Sequence, residues 1–256
     1  MSKLLVFDVG NTHTVLGVYD GTTLLQHWRL QTDEGRTEDE YGVLIRSLLS
    51  GPESAGLTGA AVACSVPAMN ATIAGLCRKH LRLEPLMVGP GIRTAMPILY
   101  DKPQDVGADR IVNAIAAYER TKDTTIVVDF GTPTVLDYIS QRGEYMGGVI
   151  APGLGISSQA LFARAAKLYE VELIAPKTVV GRNTVHAMQS GVVLGHVALV
   201  DGLVERIRRE NKTKARVIAT GSYAVLVAAE SSTIEEVDEF LTLDGLRIIY
   251  ERNQEE

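Results

Sequence analysis

Cysteine is scarce in this sequence. Cys64 and Cys77 are the only two among 256 residues. They stand alone, without the second close pair of Cys or His residues that a structural zinc site needs. We therefore expect two reduced, mostly buried thiols in a cytoplasmic protein.

Positive charge is also in short supply. The chain has 25 Lys and Arg residues against 31 Asp and Glu residues, for a formal net charge of −6. Proteins that bind nucleic acid neutralise the phosphate backbone with a basic stripe, which this composition does not favour, so we expect no nucleic-acid partner. An anionic small-molecule substrate would need local positive groups or a metal ion.

Long hydrophobic runs are not evident by reading along the chain. The first run, 4–7, ends at Asp8 and is too short for the core of a signal peptide. Later runs fall short of the roughly 18 apolar residues that a membrane-spanning helix needs. The sequence therefore predicts no membrane association.

The most informative feature of the sequence is a repeat. Residues 4–16 return as residues 125–136, with a single-residue gap at Asn11. Each copy has the pattern of an apolar strand, then Asp-x-Gly-(Asn)-Thr, then a second strand, and a turn leads on to a third strand. Two hairpins can look alike by chance, but two copies at equivalent places favour a duplication.

Further helices and strands are predicted in the same order in both halves. Helical periodicity covers 39–49, 70–81, 104–120, 153–168, about 184–209 and 222–229, and strand-like runs cover 60–66 and 215–220. Three antiparallel strands followed by alternating helices and strands, twice, indicate an α/β fold with mixed sheets. The short polar stretch 121–124 predicts the boundary between two domains, 1–121 and 122–256.

The repeated turns have the chemistry of a phosphate site. Glycine at a tight turn lets backbone N–H groups approach an anion, and the hydroxyls of Thr12 and Thr132 add donors. Asp8 and Asp129 carry the same sign as a phosphate, so they imply a cation or its water shell in between. We expect the turns to hold a nucleoside triphosphate and its metal in a cleft between the domains.

Other phosphate motifs do not fit. The sequence has no Gly-x-x-x-x-Gly-Lys-Ser/Thr segment, which excludes a Walker-type loop. The segment 153–158 begins like a dinucleotide-binding fingerprint, but Ser158 stands where the third glycine is needed. Its predicted role is to start a helix that packs closely on a strand.

A second polar cluster is predicted where a helix begins. Asp109 and Arg110 follow a proline-bearing loop and fall in or just before the first turn. A carboxylate stays ionised there, and the planar guanidinium of Arg110 can bind an anion. By spacing alone, an Asp that caps the helix beside a surface Arg is the simpler interpretation.

The segment 181–184 precedes the long helix, with Asn183 or Thr184 as its N-cap. Gly191 and Gly195 lie one turn apart and allow close packing against another helix. This helix is either a core helix or the seam of a dimer, and the spacing does not decide between them.

Taken together, these segments resemble the type III pantothenate kinase family from end to end. The matching segments are Asp8-Val9-Gly10-Asn11-Thr12, Gly107-Ala108-Asp109-Arg110, Asp129-Phe130-Gly131-Thr132, Gly181-Arg182-Asn183-Thr184, Ile218-Ala219-Thr220-Gly221 and 246–253. The resemblance implies a duplicated ribonuclease H-like, actin-like ATPase fold with two mixed-sheet domains and a central cleft. It also implies a homodimeric cytoplasmic enzyme that transfers the γ-phosphoryl group of ATP to pantothenate, the first step of coenzyme A biosynthesis.

The resemblance also implies residue roles. Asp109 would be the proton acceptor, and Asp129 would bind a monovalent cation, K⁺ or NH₄⁺, while Mg²⁺ accompanies ATP. The implied ATP-binding residues are Asp8, Val9, Gly10, Asn11, Thr12, His13, Thr14, Val15 and Thr132. The implied pantothenate-binding residues are Tyr100, Gly107, Ala108, Asp109, Arg110 and Thr184.

Three positions depart from the family pattern. Pro133 and Val135 stand where small or hydroxyl residues are usual, and Ser222 stands where a second glycine often follows Gly221. Proline removes one backbone N–H from the second loop, and a Cβ at position 222 would crowd the adenine end, so we expect weak nucleotide affinity. The alternatives are a kinase for another small alcohol or a silent paralogue that acts as a ligand-binding regulator.

Overall fold

The computed structural model describes residues 3–164, 168 and 170–254, and the described residues form two five-stranded sheets with helices. The N-terminal sheet contains β1 (Lys3–Val9), β2 (His13–Asp20), β3 (Thr23–Gln31), β4 (Leu57–Cys64) and β5 (Pro85–Met87). The C-terminal sheet contains β6 (Thr125–Phe130), β7 (Pro133–Ile139), β8 (Tyr145–Pro152), β9 (Arg216–Thr220) and β10 (Glu236–Val237).

Both sheets have the same topology. Their strand orders are β3-β2-β1-β4-β5 and β8-β7-β6-β9-β10. In each sheet the first three strands are antiparallel neighbours and the last two continue in parallel. The predicted meanders and the predicted duplication are therefore confirmed, and the chain has the two-domain α/β arrangement of the actin-like kinases.

The helices follow the predicted positions with some differences. They are α1 (Glu38–Leu48), α2 (Asn70–Leu76), α3 (Ala108–Thr121), α4 (Leu154–Arg164), α5 (Thr184–Gln189), α6 (Gly195–Glu210), α7 (Ala224–Ala228) and α8 (Leu241–Arg252). A π-helical turn extends α2 through Leu81, and another joins α5 to α6. Part of the helix predicted over 153–168 falls on residues 165–167, which lie outside the described residues.

Two helix boundaries have clear local causes. The hydroxyl of Thr37 accepts a hydrogen bond from the Glu40 N–H while the Glu40 carboxylate accepts one from the Thr37 N–H, which forms a capping box at α1. The α3 helix begins later than predicted because a short 3₁₀ turn, Pro103–Asp105, occupies the start of the predicted span. Asn183, one of the two predicted caps, accepts a hydrogen bond from the His186 N–H and begins α5.

The chain divides into two compact units, which differ from the predicted division at 121/122. The first contains 1–96, 101–116 and 241–256, and the second contains 97–100 and 117–240. The C-terminal helix α8, which the sequence analysis did not predict, belongs to the first unit because it packs on β1, β2 and β4. Chain order alone does not show this contact.

The N-terminal sheet buries its two faces against different helices. Phe7 and Val62 face the core formed with α1 and α2. On the opposite face, Gly17 lies against the side chain of Leu243, and Gly59 lies against the ring of Tyr250, both from α8. Both glycines leave room for α8, because an added Cβ would fall 2.9 Å from Leu243 and 2.0 Å from Tyr250.

One helix in the described chain is long and apolar enough to span a membrane by length and composition alone, which the search for apolar runs did not anticipate. It is the continuous helix Thr184–Glu210, and 44% of its most apolar window is buried. Val193 is fully buried, and Val197, Val200 and Val204 belong to the core of the C-terminal sheet. A core helix passes the same test, so this is weak evidence for a membrane span.

Asp201 connects α6 to the loop before β10. Its carboxylate accepts hydrogen bonds from the Ser231 hydroxyl at 2.5 Å, the Ser232 N–H at 2.9 Å and the Thr233 hydroxyl at 2.7 Å. Burial acts to raise the pKa of Asp201, but these hydrogen bonds together lower it below its usual value. The ionised carboxylate is therefore the form that stabilises the fold.

We expect Asp201→Ala to lower the free energy of unfolding by about 1–2 kcal/mol, because several donors lose their acceptor. The contribution of Asp201 should be complete above pH about 4, where the unfolded carboxyl is ionised, and be lost as the pH falls below that value. Urea unfolding at pH 7 and pH 3 measures both effects. Glu205→Ala, at an exposed position one turn away, is the control and should change stability by less than about 0.5 kcal/mol.

Candidate active site

The first Asp-x-Gly turn joins β1 to β2 in the N-terminal unit. The Gly10 N–H donates to the His13 carbonyl at 3.0 Å, which closes the turn. Thr32, just after β3, donates from its hydroxyl to the Gly10 carbonyl at 2.7 Å and from its N–H to the Thr12 carbonyl at 3.0 Å. The turn is thus held at both ends, while the side chains of Asn11, Thr12 and His13 are exposed.

Two other members of the predicted ATP-binding segment belong to the strand rather than to the exposed turn. Thr14 is fully buried, and its hydroxyl lies 2.9 Å from that of Thr32. Val15 pairs with Asp8 across the hairpin. Burial, and then the positive charge of Arg29, lower the pKa of His13, so this exposed ring is neutral at pH 7.

Asp109 lies in the first turn of α3. One of its carboxylate oxygens accepts a hydrogen bond from the Arg110 N–H at 2.9 Å. A Cβ on Gly107 would fall 2.5 Å from the same oxygen. The signature Gly107-Ala108-Asp109-Arg110 therefore has a steric reason for its glycine, because a side chain there would displace the carboxylate.

Cys64 is the last residue of β4, and its thiol donates a hydrogen bond to the Val66 carbonyl at 3.1 Å. Burial raises the pKa of the Cys64 thiol, and the negative charges of Asp8 and Asp109 add to this rise. Cys64 pairs with Val9 in the parallel register of β1 and β4. The strand pairing therefore brings Cys64 beside the end of β1, 55 residues away in the sequence, where the first turn begins.

The second Asp-x-Gly turn joins β6 to β7 in the C-terminal unit. Two glycines, Gly153 and Gly221, lie in close contact with this turn and the strand end before it. A Cβ on Gly153 would fall 2.2 Å from the Thr132 carbonyl oxygen, and one on Gly221 would fall 2.5 Å from an oxygen of Asp129. Gly221 also has φ of +91°, a conformation that favours glycine. The prediction that the segment 153–158 starts a helix is confirmed, and the close contacts of Gly153 are with the turn itself rather than with a strand.

Two of the three departures from the family pattern lie in the first residues of β7. Pro133 is the first residue of that strand and pairs with Pro152 of β8. The first position of a strand tolerates proline because one ladder hydrogen bond is lost at its end rather than inside it. Val135 is buried in the sheet, and Ser222 is exposed beside Gly221. Their effect on nucleotide affinity stays a prediction.

A buried histidine, which the sequence analysis missed, supports the second turn. Thr134 is fully buried, and its hydroxyl shares a 2.9 Å hydrogen bond with Nε2 of His196 from α6. The His196 ring also lies 6.0 Å from the ring of Phe130. The repeat in the sequence could have indicated Thr134, because it aligns with Thr14, and both residues are buried.

A cavity of about 750 Å³ lies beside His196 in the same unit. Its walls come from α4, the segment 181–184 and the helix that follows, including Thr184. Most of the surrounding surface is apolar, and Ser157, Arg182 and Asn183 supply polar groups. A pocket with apolar walls and few polar groups suits a small organic ligand.

Tyr100, the remaining predicted substrate-binding residue, lies against β8. Its ring centroid is 6.4 Å from that of Tyr145, and the Cα of Gly147 leaves room for it. Tyr145 is fully buried and donates its hydroxyl to Asp137 at 2.7 Å. Tyr100 therefore has a rigid support, and 38% of its surface is exposed.

Comparison with known proteins agrees with these features. A model of the type III pantothenate kinase family matches residues 4–206. Type III pantothenate kinases of Pelobacter propionicus and Geobacter sulfurreducens are 55% and 53% identical over 256 and 254 residues, with 98% of this chain and 100% of each relative covered. The enzyme of Myxococcus xanthus is 52% identical over 252 residues, with 98% of each chain covered.

Solved structures support the fold. The ethanolamine utilization protein EutJ of Carboxydothermus hydrogenoformans superposes with a TM-score of 0.60 at 17% identity, covering 97% of this chain and 90% of that one. The inorganic polyphosphate/ATP-glucomannokinase of an Arthrobacter strain has a TM-score of 0.55 at 15% identity, covering 98% and 100%. At such identities these similarities show the architecture alone.

The buried His196 gives a prediction for the pH dependence of stability. Burial lowers its pKa below the ordinary value of about 6.5, so the unfolded chain takes up a proton there at a higher pH than the folded chain does. Below pH about 6.5 the wild type should therefore lose stability, by at most about 1.4 kcal/mol per pH unit from this group.

His196→Gln should remove this slope. Urea unfolding of wild type and variant at pH 7.5 and pH 5.5 measures this effect. The difference in their free energies of unfolding should be smaller at pH 5.5, because only the wild type loses stability there. His186→Gln, at an exposed position on the same helical segment, is the control and should leave the slope in place. An unchanged slope in His196→Gln would contradict the assignment.

Proposed function

Because the chain belongs to the type III pantothenate kinase family, we propose that it transfers the γ-phosphoryl group of ATP to the primary hydroxyl of pantothenate, the first step of coenzyme A biosynthesis. One observation carries the proposal at the level of the site. Asp109, in the signature of the family, lies in the first turn of α3 where Gly107 leaves room for its carboxylate, and Asp8 lies near the end of β1 beside the first phosphate turn, both in the N-terminal unit.

Phosphoryl transfer needs alignment and charge neutralisation more than covalent chemistry from the protein. Asp109 orients the acceptor hydroxyl and takes its proton as the new bond to phosphorus forms. Arg110 is adjacent and supplies a positive charge for the carboxylate of pantothenate. Tyr100, the segment 107–110 and Thr184 complete the set that binds pantothenate.

ATP binding rests on the turns. Within the segment Asp8–Val15 the exposed hydroxyl of Thr12 is a donor for phosphate, and Thr132 supplies the corresponding group of the second turn. Mg²⁺ enters with ATP and neutralises the phosphate oxygens when bound. Asp8 has the charge to hold the hydrated metal.

Asp129 fits a monovalent cation better than a resident divalent one. In the described part of the chain no group of three or more His, Cys, Asp or Glu residues could hold a metal ion. A single carboxylate beside the closely packed Gly221, with backbone carbonyls nearby, suits K⁺ or NH₄⁺, which are held weakly by oxygen atoms. Such an ion adds positive charge near the second turn.

The proposal includes a homodimer in the cytoplasm, without nucleic-acid or membrane partners. Along α5 and α6, Gly191, Gly195 and Gly202 have open space where a Cβ would lie, and Leu199 is exposed beside them. Small residues at this spacing let a second helix approach closely, and burial of the exposed apolar face would stabilise that contact. This supports the dimer seam over the simple core helix.

The reaction is tested by ADP release, measured with a coupled assay with and without pantothenate, first in potassium and then in sodium. We expect pantothenate-dependent ADP release that is several-fold faster in potassium. A panel of sugars and small alcohols serves as the comparison. Activity with one of these but not with pantothenate would identify another kinase, and no acceptor-dependent ADP in either salt would identify a silent paralogue.

We expect Asp109→Asn to lower kcat by roughly 10²- to 10⁴-fold while ATP still binds, because the amide cannot accept the proton of the hydroxyl. Steady-state kinetics and calorimetric titration with ATP measure the two quantities. Asp105→Asn changes an exposed carboxylate in the preceding turn and should leave kcat within about 3-fold of wild type. Near-normal turnover of Asp109→Asn would remove Asp109 from its role.

A further inference from the structure

Ser65 carries a buried hydroxyl to which neither the fold nor the proposed reaction has so far given a role. It directly follows β4, and its N–H donates to the Val9 carbonyl at 2.9 Å, which continues the pairing with β1. Its Oγ is shielded from solvent and makes no hydrogen bond to any of the described residues. A buried hydroxyl without a partner destabilises the fold.

The pairing of β1 with β4 shows which side of the sheet this hydroxyl occupies. Side chains alternate between the two faces along a strand. Gly59 faces α8, since it lies against Tyr250, so residues 61, 63 and 65 face α8 as well. Ser65 is the last of these. Asp8 pairs with Ala63 in the parallel register and faces that side too.

Helix α3 packs on α8, which covers this side of the sheet. The Val112 carbonyl lies against Gly245 of α8, and the Thr242 hydroxyl donates to Asn113 at 2.8 Å, which together hold α3 to α8. Asp109 lies in the first turn of α3.

On this basis, and resting on the proposed function, we propose that the Ser65 hydroxyl binds the phosphoryl group during transfer by donating a hydrogen bond to one of its non-bridging oxygens. The ionised carboxylates of Asp8 and Asp109 can only accept hydrogen bonds, so they cannot bind a phosphoryl oxygen directly. A neutral hydroxyl can donate a hydrogen bond to that oxygen. The bound phosphoryl oxygen supplies the partner that Oγ otherwise lacks, which offsets the cost of burying it.

The chemistry leaves Ser65 unchanged. The oxygen of the acceptor alcohol forms a bond to the γ-phosphorus, the bond from that phosphorus to the β,γ-bridging oxygen breaks, and ADP leaves with the electron pair. The alcohol proton goes to Asp109. Ser65 keeps its own proton and contributes only a hydrogen bond that strengthens as charge develops on the phosphoryl oxygens.

The first test is kinetic. Ser65→Ala should lower kcat by roughly 10- to 100-fold and leave the KM values for ATP and pantothenate within about 3-fold, because the lost hydrogen bond belongs to the transition state. Thr58→Ala removes a hydroxyl from the exposed far end of β4 and is the matched control, with kcat near that of wild type. Wild-type kcat in Ser65→Ala would overturn the proposal.

The second test does not depend on turnover. ADP with aluminium fluoride mimics a phosphoryl group in transfer, and calorimetry should show about 10-fold weaker binding of this pair to Ser65→Ala, with unchanged affinity for ADP alone. The thermal midpoint should stay the same or rise, because no internal hydrogen bond is removed. A lower midpoint, or an equal loss of affinity for ADP alone, would show a structural role instead.

The two proposals fail in distinguishable ways. Wild-type protein that releases no pantothenate-dependent ADP would refute the proposed function. In that case the aluminium fluoride titration and the thermal midpoint would still test whether Ser65 binds the phosphoryl group. Active wild type with an inactive Asp109→Asn and a fully active Ser65→Ala would refute the role of Ser65 alone.

Discussion

The parallel pairing of β1 with β4 is the interaction on which the N-terminal half of the site depends. It sets Val9 beside Cys64, and the Ser65 N–H extends it by one more hydrogen bond. The carboxyl ends of neighbouring parallel strands meet at one edge of a sheet, where open α/β sheets bind their ligands. Helix α3 carries Asp109, the predicted proton acceptor, in its first turn and belongs to the same unit as this strand pair.

The C-terminal unit repeats this arrangement with different side chains. The parallel pair of β6 and β9 sets Asp129 beside Thr220, and Gly221 then lies against the second turn. Thr14 and Thr134 occupy equivalent, buried positions, yet the first bonds to Thr32 and the second to His196. The duplication preserved the strand pairing on both sides of the turn and the buried hydroxyl, while the turn length and the group that fixes each hydroxyl diverged.

Much of the fold could be predicted because its signals are local. The alternating pattern and turn residues of 4–31 and 125–152 predicted both meanders, and the periodicity of 39–49 predicted α1 within a residue at each end. Helix α8 was missed, although Leu243 and Tyr250 fill the space above Gly17 and Gly59. Its apolar side matches a surface built from distant strands, which no local pattern reveals.

The sequence by itself determined the repeat, the identity of the two turns and the signature that ends in Asp109 and Arg110, because these depend on residue types at short spacing. Only the tertiary structure decided that Cys64 and Ser65 lie beside the first turn and that His196 supports the second. Those neighbours are separated by some 45 to 65 residues in the chain, so strand pairing and helix packing, rather than local stereochemistry, bring them together.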